Sequence, residues 1–250
     1  MATTSSTWPR QLRLPGQVAA PEGPIDMQMM YLMHHAFRRD LDLFAAAVRN
    51  TPADDRATWA LLAERWELFA DVLHEHHTVE DVGIWPELER LGTDADVAVL
   101  HAMEAEHGEL DPLLEGCAAG FRRLAQGSNQ GSDQGSGQRA DEDVRAALAV
   151  RVIAARESLR RHLAHEETDA IAIIQRLMTV EDWARVEEEH AGKDVGFGKV
   201  VRIVPWAAYG VPRTALDRIL AQPGGRMFRL VWLVTRGRFA RAHARTFRYA

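Results

Sequence analysis

The sequence predicts an all-α protein, an up-down-up-down four-helix bundle with a C-terminal basic helical extension. Between residues 25 and 180, apolar side chains recur at spacings of three and four along four long segments, the period of a helix buried on one face. The connections between those segments allow each helix to run antiparallel to the one before it. Each of the four apolar stripes also passes through a histidine, and two of them continue to a glutamate four residues on.

The chain of 250 residues is 46% hydrophobic and 26% charged, the balance of an ordinary globular protein with a substantial core. Its one cysteine, Cys117, excludes an internal disulfide framework and suits a reducing cytoplasm. No apolar run approaches the roughly 18 to 20 residues of a membrane span, and the N-terminal residues lack the apolar core of a secretory signal. Residues 1–24, rich in Pro, Gly, Ser and Thr, read as a disordered or extended lead-in. Net charge is −6, but from Lys199 onward eleven basic residues face the single acid Asp217. That end is therefore strongly basic and the rest of the chain strongly acidic.

The first helix spans residues 25–49, with Asp26 as its cap and the stripe Met27, Met30, His34, Phe37, Leu41, Phe44 and Val48. His35 lies off that stripe, with the charged Arg38, Arg39 and Asp42 at helical spacing, so His34 is the inward histidine. The second segment opens at Thr51-Pro52 and Asp54-Asp55 and carries Trp59, Leu62, Trp66, Phe69 and Leu73. His76 and Glu80 take the next two places, and Ile84 and Leu88 resume the apolar face. His74 and His101 read as surface residues. His77, beside the stripe and four before Asp81, is ambiguous, and support of a ligand from outside is one role open to it.

After Leu91-Gly92, Thr93 or Asp94 caps a third helix with the stripe Leu100, Met103, His107, Leu110, Leu114, Cys117, Phe121 and Leu124. Pro112 predicts a kink just past His107. Residues 126–140 form a Gly/Ser/Gln/Asn tract that reads as a flexible linker. The fourth helix, from Asp141 to about Met178, carries Leu148, Val152, Ala155, Leu159, His162, Glu166, Ala170, Ile173 and Leu177. His165 and Asp169 repeat the His-Glu spacing away from the stripe.

In a four-helix bundle the stripes face one axis, so His34, His76, Glu80, His107, His162 and Glu166 converge. Four imidazoles and two carboxylates in a core are costly without compensation. Mutual hydrogen bonds with water, or zinc, could supply it. Two irons suit the set, because imidazole and carboxylate both bind iron and a glutamate can bridge two ions.

The segments HHAFRRDL, HHTVED followed by IWPEL, EAEHGEL and RHLAHEE carry a resemblance to the hemerythrin-like (HHE cation-binding) family over about residues 25 to 180. The resemblance implies a non-haem di-iron four-helix bundle, with two oxo- or hydroxo-bridged irons held by His34, His76, His107 and His162 and bridged by Glu80 and Glu166. Oxygen-carrying relatives have a histidine where Met103 stands and an aspartate as the second bridge. Open iron positions would then remain for a small ligand, and Tyr31, one turn before His34, could occupy one as phenolate. The implied function is binding of dioxygen, nitric oxide or peroxide for sensing, carriage or iron handling. The second reading is a catalase-like di-iron enzyme that disproportionates hydrogen peroxide.

Residues 181–250 read as a helical extension in which Trp183 and Val186 pack, and Pro205 and Pro212 break the pattern. Two basic amphipathic helices follow, Thr214 to Leu220 and Met227 to Tyr249. Their candidate partners are the acidic bundle itself, an anionic membrane surface, or a protein or nucleic acid. The arginines show no specific nucleic-acid signature.

Overall fold

The computed structural model describes residues 8–127, 134–191, 196–222 and 225–250, and all regular structure among them is helical. The elements are α1 (Gln28–Asn50), α2 (Arg56–Val79), α3 (Trp85–Leu91), α4 (Asp94–Gln126), α5 (Gln134–His165), α6 (Ile171–Leu177), α7 (Val180–Val186), α8 (Phe197–Ala208), α9 (Arg213–Leu220) and α10 (Gly225–Thr246). Two π-helical turns, Glu80–Ile84 and Glu166–Ala170, join α2 to α3 and α5 to α6 without breaking the helical run. A third, Glu187–Ala191, follows α7.

Short polar side chains set the helix starts, because they accept bonds from N–H groups that no preceding turn can satisfy. Asp26 accepts from the Gln28 N–H at 3.2 Å, and Asp55 from the Thr58 N–H at 3.2 Å. Thr93 and Asp96 cap α4 reciprocally: the Thr93 N–H donates to Asp96 Oδ2 at 2.9 Å and the Asp96 N–H to Thr93 Oγ1 at 3.4 Å. The α4 helix continues through Pro112 to Gln126. The fourth long helix starts earlier than its sequence suggests, at Gln134, since adding a turn to an existing helix costs far less than nucleating one. Of the predicted linker, 134–140 is thus helical and 128–133 lies outside the described residues.

Contacts divide the chain into two compact units. In the unit of residues 37–75, 106–161 and 235–250, four helices lie side by side. Phe37 meets Phe69 and Phe44 meets Trp66, so α1 and α2 run antiparallel. Trp66 Nε1 donates to the Leu114 carbonyl at 3.2 Å while Trp59 meets Phe121, which sets α2 against α4 in the same way. Arg145 donates to the Arg49 carbonyl and Arg160 to Asp42, which closes α5 back onto α1. The up-down order is therefore visible within this unit. Its core is a ring cluster of Phe44, Trp66, Phe69 and Phe121 with centroids 4.8 to 6.0 Å apart, geometry that adds to plain area burial.

The end of α10 belongs to this unit. Phe247 packs on Phe44 at 5.2 Å. Arg65, buried, donates to Asp40 at 2.8 Å and to His243 Nδ1 at 3.2 Å, with the Phe239 ring 4.7 Å from its guanidinium. The C-terminal residues thus dock on α1 and α2, one of the partners their basic character allows.

The other unit holds residues 8–36, 76–105 and 162–234, apart from the undescribed ones. Its lead-in has no regular structure from Trp8 to Met27, yet Leu12, Leu14, Ala20 and Ile25 are buried. Gln11 donates to the Ile25 carbonyl at 2.8 Å and accepts from the Met27 N–H at 3.2 Å. Gln175 of α6 accepts from the Ile25 N–H at 3.0 Å and donates to its carbonyl at 2.8 Å. Gly23 lets the arm approach this closely, since a Cβ there would stand 2.2 Å from Gln175 Oε1.

Burial, with the Arg65 charge behind it, pushes the His243 imidazole down to about 4, against a weaker pull from Asp40. The unfolded chain therefore binds a proton that the folded chain refuses between pH 6.5 and about 4, and stability falls as pH falls through that window. Urea denaturation at stepped pH should show a shallower loss for His243→Gln than for the wild type. Parallel curves would remove His243 from the account.

Candidate metal centre

Two groups of buried donors meet the requirements of a cation site. His34, His76 and Glu166 each offer one ligand atom, all within 4.8 Å of one another, and His77, Glu80, His107 and His162 form a second group by the same measure. All six residues singled out in the sequence fall in these groups, and His77 joins them as a seventh. His34, Glu80 and Glu166 are 0% exposed, and His77, His107 and His162 are buried as well.

Each glutamate belongs to one group and reaches a histidine of the other. Glu80 Oε1 lies 3.1 Å from Nε2 of His76, a member of the other group. Glu166 Oε2 lies 3.1 Å from Nε2 of His34 and 3.9 Å from Nε2 of His162. Carboxylates so placed can each address two cations.

Both glutamates also open a π-helical turn. Such turns are uncommon and concentrate at functional positions, because one extra residue redirects the side chains around it. The stripe of α2 alternates threes and fours as far as Glu80, then runs Glu80, Ile84, Leu88 at successive fours; that of α5 breaks alternation at His162, Glu166, Ala170. In a regular helix each extra four drifts by about 40° from the stripe. The wider turn absorbs the drift, and Ile84, Leu88 and Ala170 stay buried.

Glu167, next in the same π turn, supports His34 from behind. His34 Nδ1 donates to Glu167 Oε1 at 2.9 Å, which orients the ring and turns Nε2 to the side where Glu166 stands. Glu167 is wholly buried, and its other oxygen accepts the Val18 N–H at 2.7 Å, so the N-terminal arm is tied to the centre. His35, by contrast, faces the arm, with Nδ1 at 3.4 Å from the Pro15 carbonyl.

The polar atoms left over fit a cation. The Tyr31 hydroxyl is buried with no hydrogen-bond partner among the described residues, and His34 Nε2 and Glu166 Oε2 face each other at 3.1 Å with no exposure. Orphaned buried groups of this kind are costly unless an ion or water satisfies them. In the cation-free protein, charge is adjusted by protons instead. Burial works against a charged His34, but Glu166 and Glu167 outweigh it and lift the imidazole to about 9. Burial likewise resists ionisation of Glu166, yet His34, with His76 and His162, holds it down to about 2. Glu80 goes the other way, pushed well above the usual carboxylate range by burial and by Glu166. Burial and then Glu167 raise the Tyr31 hydroxyl, so it is a phenol here rather than a phenolate.

The remaining expectations divide cleanly. His101 is exposed, 3.3 Å from Glu89, and His165 pairs with Asp169 at 3.5 Å on the outside. Met103 is buried. Cys117 is buried as well, its thiol pushed up to about 12 by that burial, which makes it inert rather than nucleophilic. His77 and Glu167 are the two residues whose roles the stripes do not convey. A stripe selects one residue per turn, whereas the two donor groups draw on a wider arc of α2, and the partner of Glu167 is 133 residues away in the chain.

Residues 26–174 match the family model described as the hemerythrin HHE cation binding domain. No curated protein and no solved structure gives a significant match.

Glu167→Gln should weaken cation binding about 10- to 100-fold, because the amide is a poorer acceptor for His34. Competition against a chromogenic chelator measures this, and unchanged affinity would reduce Glu167 to an anchor for the arm.

Proposed function

Because the chain belongs to the hemerythrin HHE cation-binding domain family, we propose that its centre holds two non-haem irons and binds a small ligand, dioxygen, nitric oxide or peroxide, for sensing, carriage or iron handling. The observation that carries this reading is that Glu80 stands 3.1 Å from His76 and Glu166 3.9 Å from His162, each a histidine of the other donor group. His34 and His76 would hold one ion and His77, His107 and His162 the other, with the two glutamates bridging. The donors are imidazole and carboxylate without thiolate, a set that suits iron better than a soft ion. Five imidazoles and two bridging carboxylates fill about nine of the roughly twelve positions of two octahedral ions, so places for a small ligand remain. Bound there, the pair of irons would supply one-electron redox chemistry and open coordination positions.

The chain's own residues set the terms of binding. Glu80 and His34 carry protons while no cation is present and must release them when one enters. Iron affinity therefore rises with pH: Fe(II) titrations should show tighter binding and fewer protons released at pH 8 than at pH 6. Binding that does not change over this range would contradict these protonation states. Without a cation, Tyr31 is a hydroxyl able to donate a hydrogen bond. On α4, Met103 takes the place where oxygen carriers have a histidine, and His77 of α2 restores the number of imidazoles. That restoration favours reversible binding over the catalase-like alternative.

Cycling the reduced protein between oxygen and vacuum tests the choice. Recovery of the reduced spectrum over several cycles is expected, with little peroxide disproportionation. Rapid oxygen evolution from peroxide, lost in a Glu80→Ala, Glu166→Ala double variant, would transfer the assignment to the enzyme.

A further inference from the structure

The outer face of α10 plays no part in the metal centre, and its chemistry is distinctive. Met227, Leu230, Leu233 and Val234 are exposed by 62%, 59%, 49% and 75%. At about 100° per residue they fall within an arc of about 120° on one side of the helix. The opposite side is the packed one, with Val231, His243 and Thr246 buried. Four large apolar side chains gathered on a solvent face are unusual where single exposed ones are not, and mark a surface that another phase or molecule covers.

Arginines frame this strip. On the same helical projection Arg229 and Arg236 lie along one margin, Arg238 and Arg245 along the other, and all four are exposed. None of the four pairs with an acidic side chain among the described residues. From Arg218 to Ala250 the chain contains no aspartate or glutamate.

Charge complementarity selects the occupant. A second copy of this face would set arginine against arginine. Nucleic acid would take the arginines and leave the apolar strip in water. An anionic bilayer surface takes both: the strip enters the acyl boundary, while the marginal arginines lay their stems along it and extend their guanidinium groups to lipid phosphates. No described helix is long and apolar enough to cross a membrane, so α10 would lie in the plane of the surface. We propose that the outer face of α10 docks this protein on an anionic lipid surface.

Flotation of the full-length protein with vesicles tests the proposal. One set is phosphatidylcholine with about one third phosphatidylglycerol, the other phosphatidylcholine alone. The protein should float with the anionic vesicles, progressively less as salt rises, and stay behind with the neutral ones. A Leu230→Glu, Val234→Glu double variant should lose at least about tenfold in partitioning, as should an Arg229→Gln, Arg236→Gln, Arg238→Gln variant that keeps the strip intact. Unchanged thermal unfolding of both variants separates docking from folding. Failure to float, equal flotation with neutral vesicles, or wild-type partitioning by both variants would overturn the proposal. So would a concentration-dependent dimer of the free protein that the double glutamate variant dissociates, because the face would then join two copies.

Discussion

Four buried imidazoles, the half-buried His76 and two buried carboxylates are gathered together, and an interior of low dielectric does not tolerate that many polar groups without a compensating charge. In the cation-free protein the compensation is protonic. His34 is held charged between Glu166 and Glu167, and burial beside Glu166 favours the neutral form of Glu80. Two cations would replace those protons and leave the carboxylates free to bridge. The π turns at Glu80 and Glu166, the Glu167 support behind His34 and the arm bonded through Val18 all serve this requirement.

Helix identity and stripe were legible in the sequence because burial writes a period into the chain. Phe44, Trp66, Phe121 and Leu148 are all wholly buried where alternating threes and fours place them. The caps at Asp26 and Thr93 were legible for a local reason, since a cap bonds within three residues of itself. That His34, His76, Glu80, His107, His162 and Glu166 are gathered was legible because polar residues on apolar stripes must find partners in the core. The start of α5 at Gln134 was not, because its weak helix formers are recruited by an adjoining helix rather than by their own propensity. The lead-in was read from composition, which carries no trace of the Gln11 and Gln175 bonds that hold it.

His77 and Glu167 show where one-dimensional reading stops. Each is one residue from a stripe position, so a strict helical period assigns it elsewhere. The repeated fours after His76 and His162 do record a change of helical pitch, and pitch decides which neighbouring side chains turn inward. A sequence signal for the π turns was therefore present. What it could not convey was the partner of Glu167, which only the fold brings near.

Two cations sharing both glutamates is the proposed state of the centre, and metal content of purified variants tests it most directly. The account predicts about two irons per chain in the wild type, with Glu166→Ala and Glu80→Ala each losing most of both ions while far-ultraviolet circular dichroism stays unchanged. Loss of one ion only in either variant, or a wild type that binds no iron when supplied with it, would contradict the shared centre.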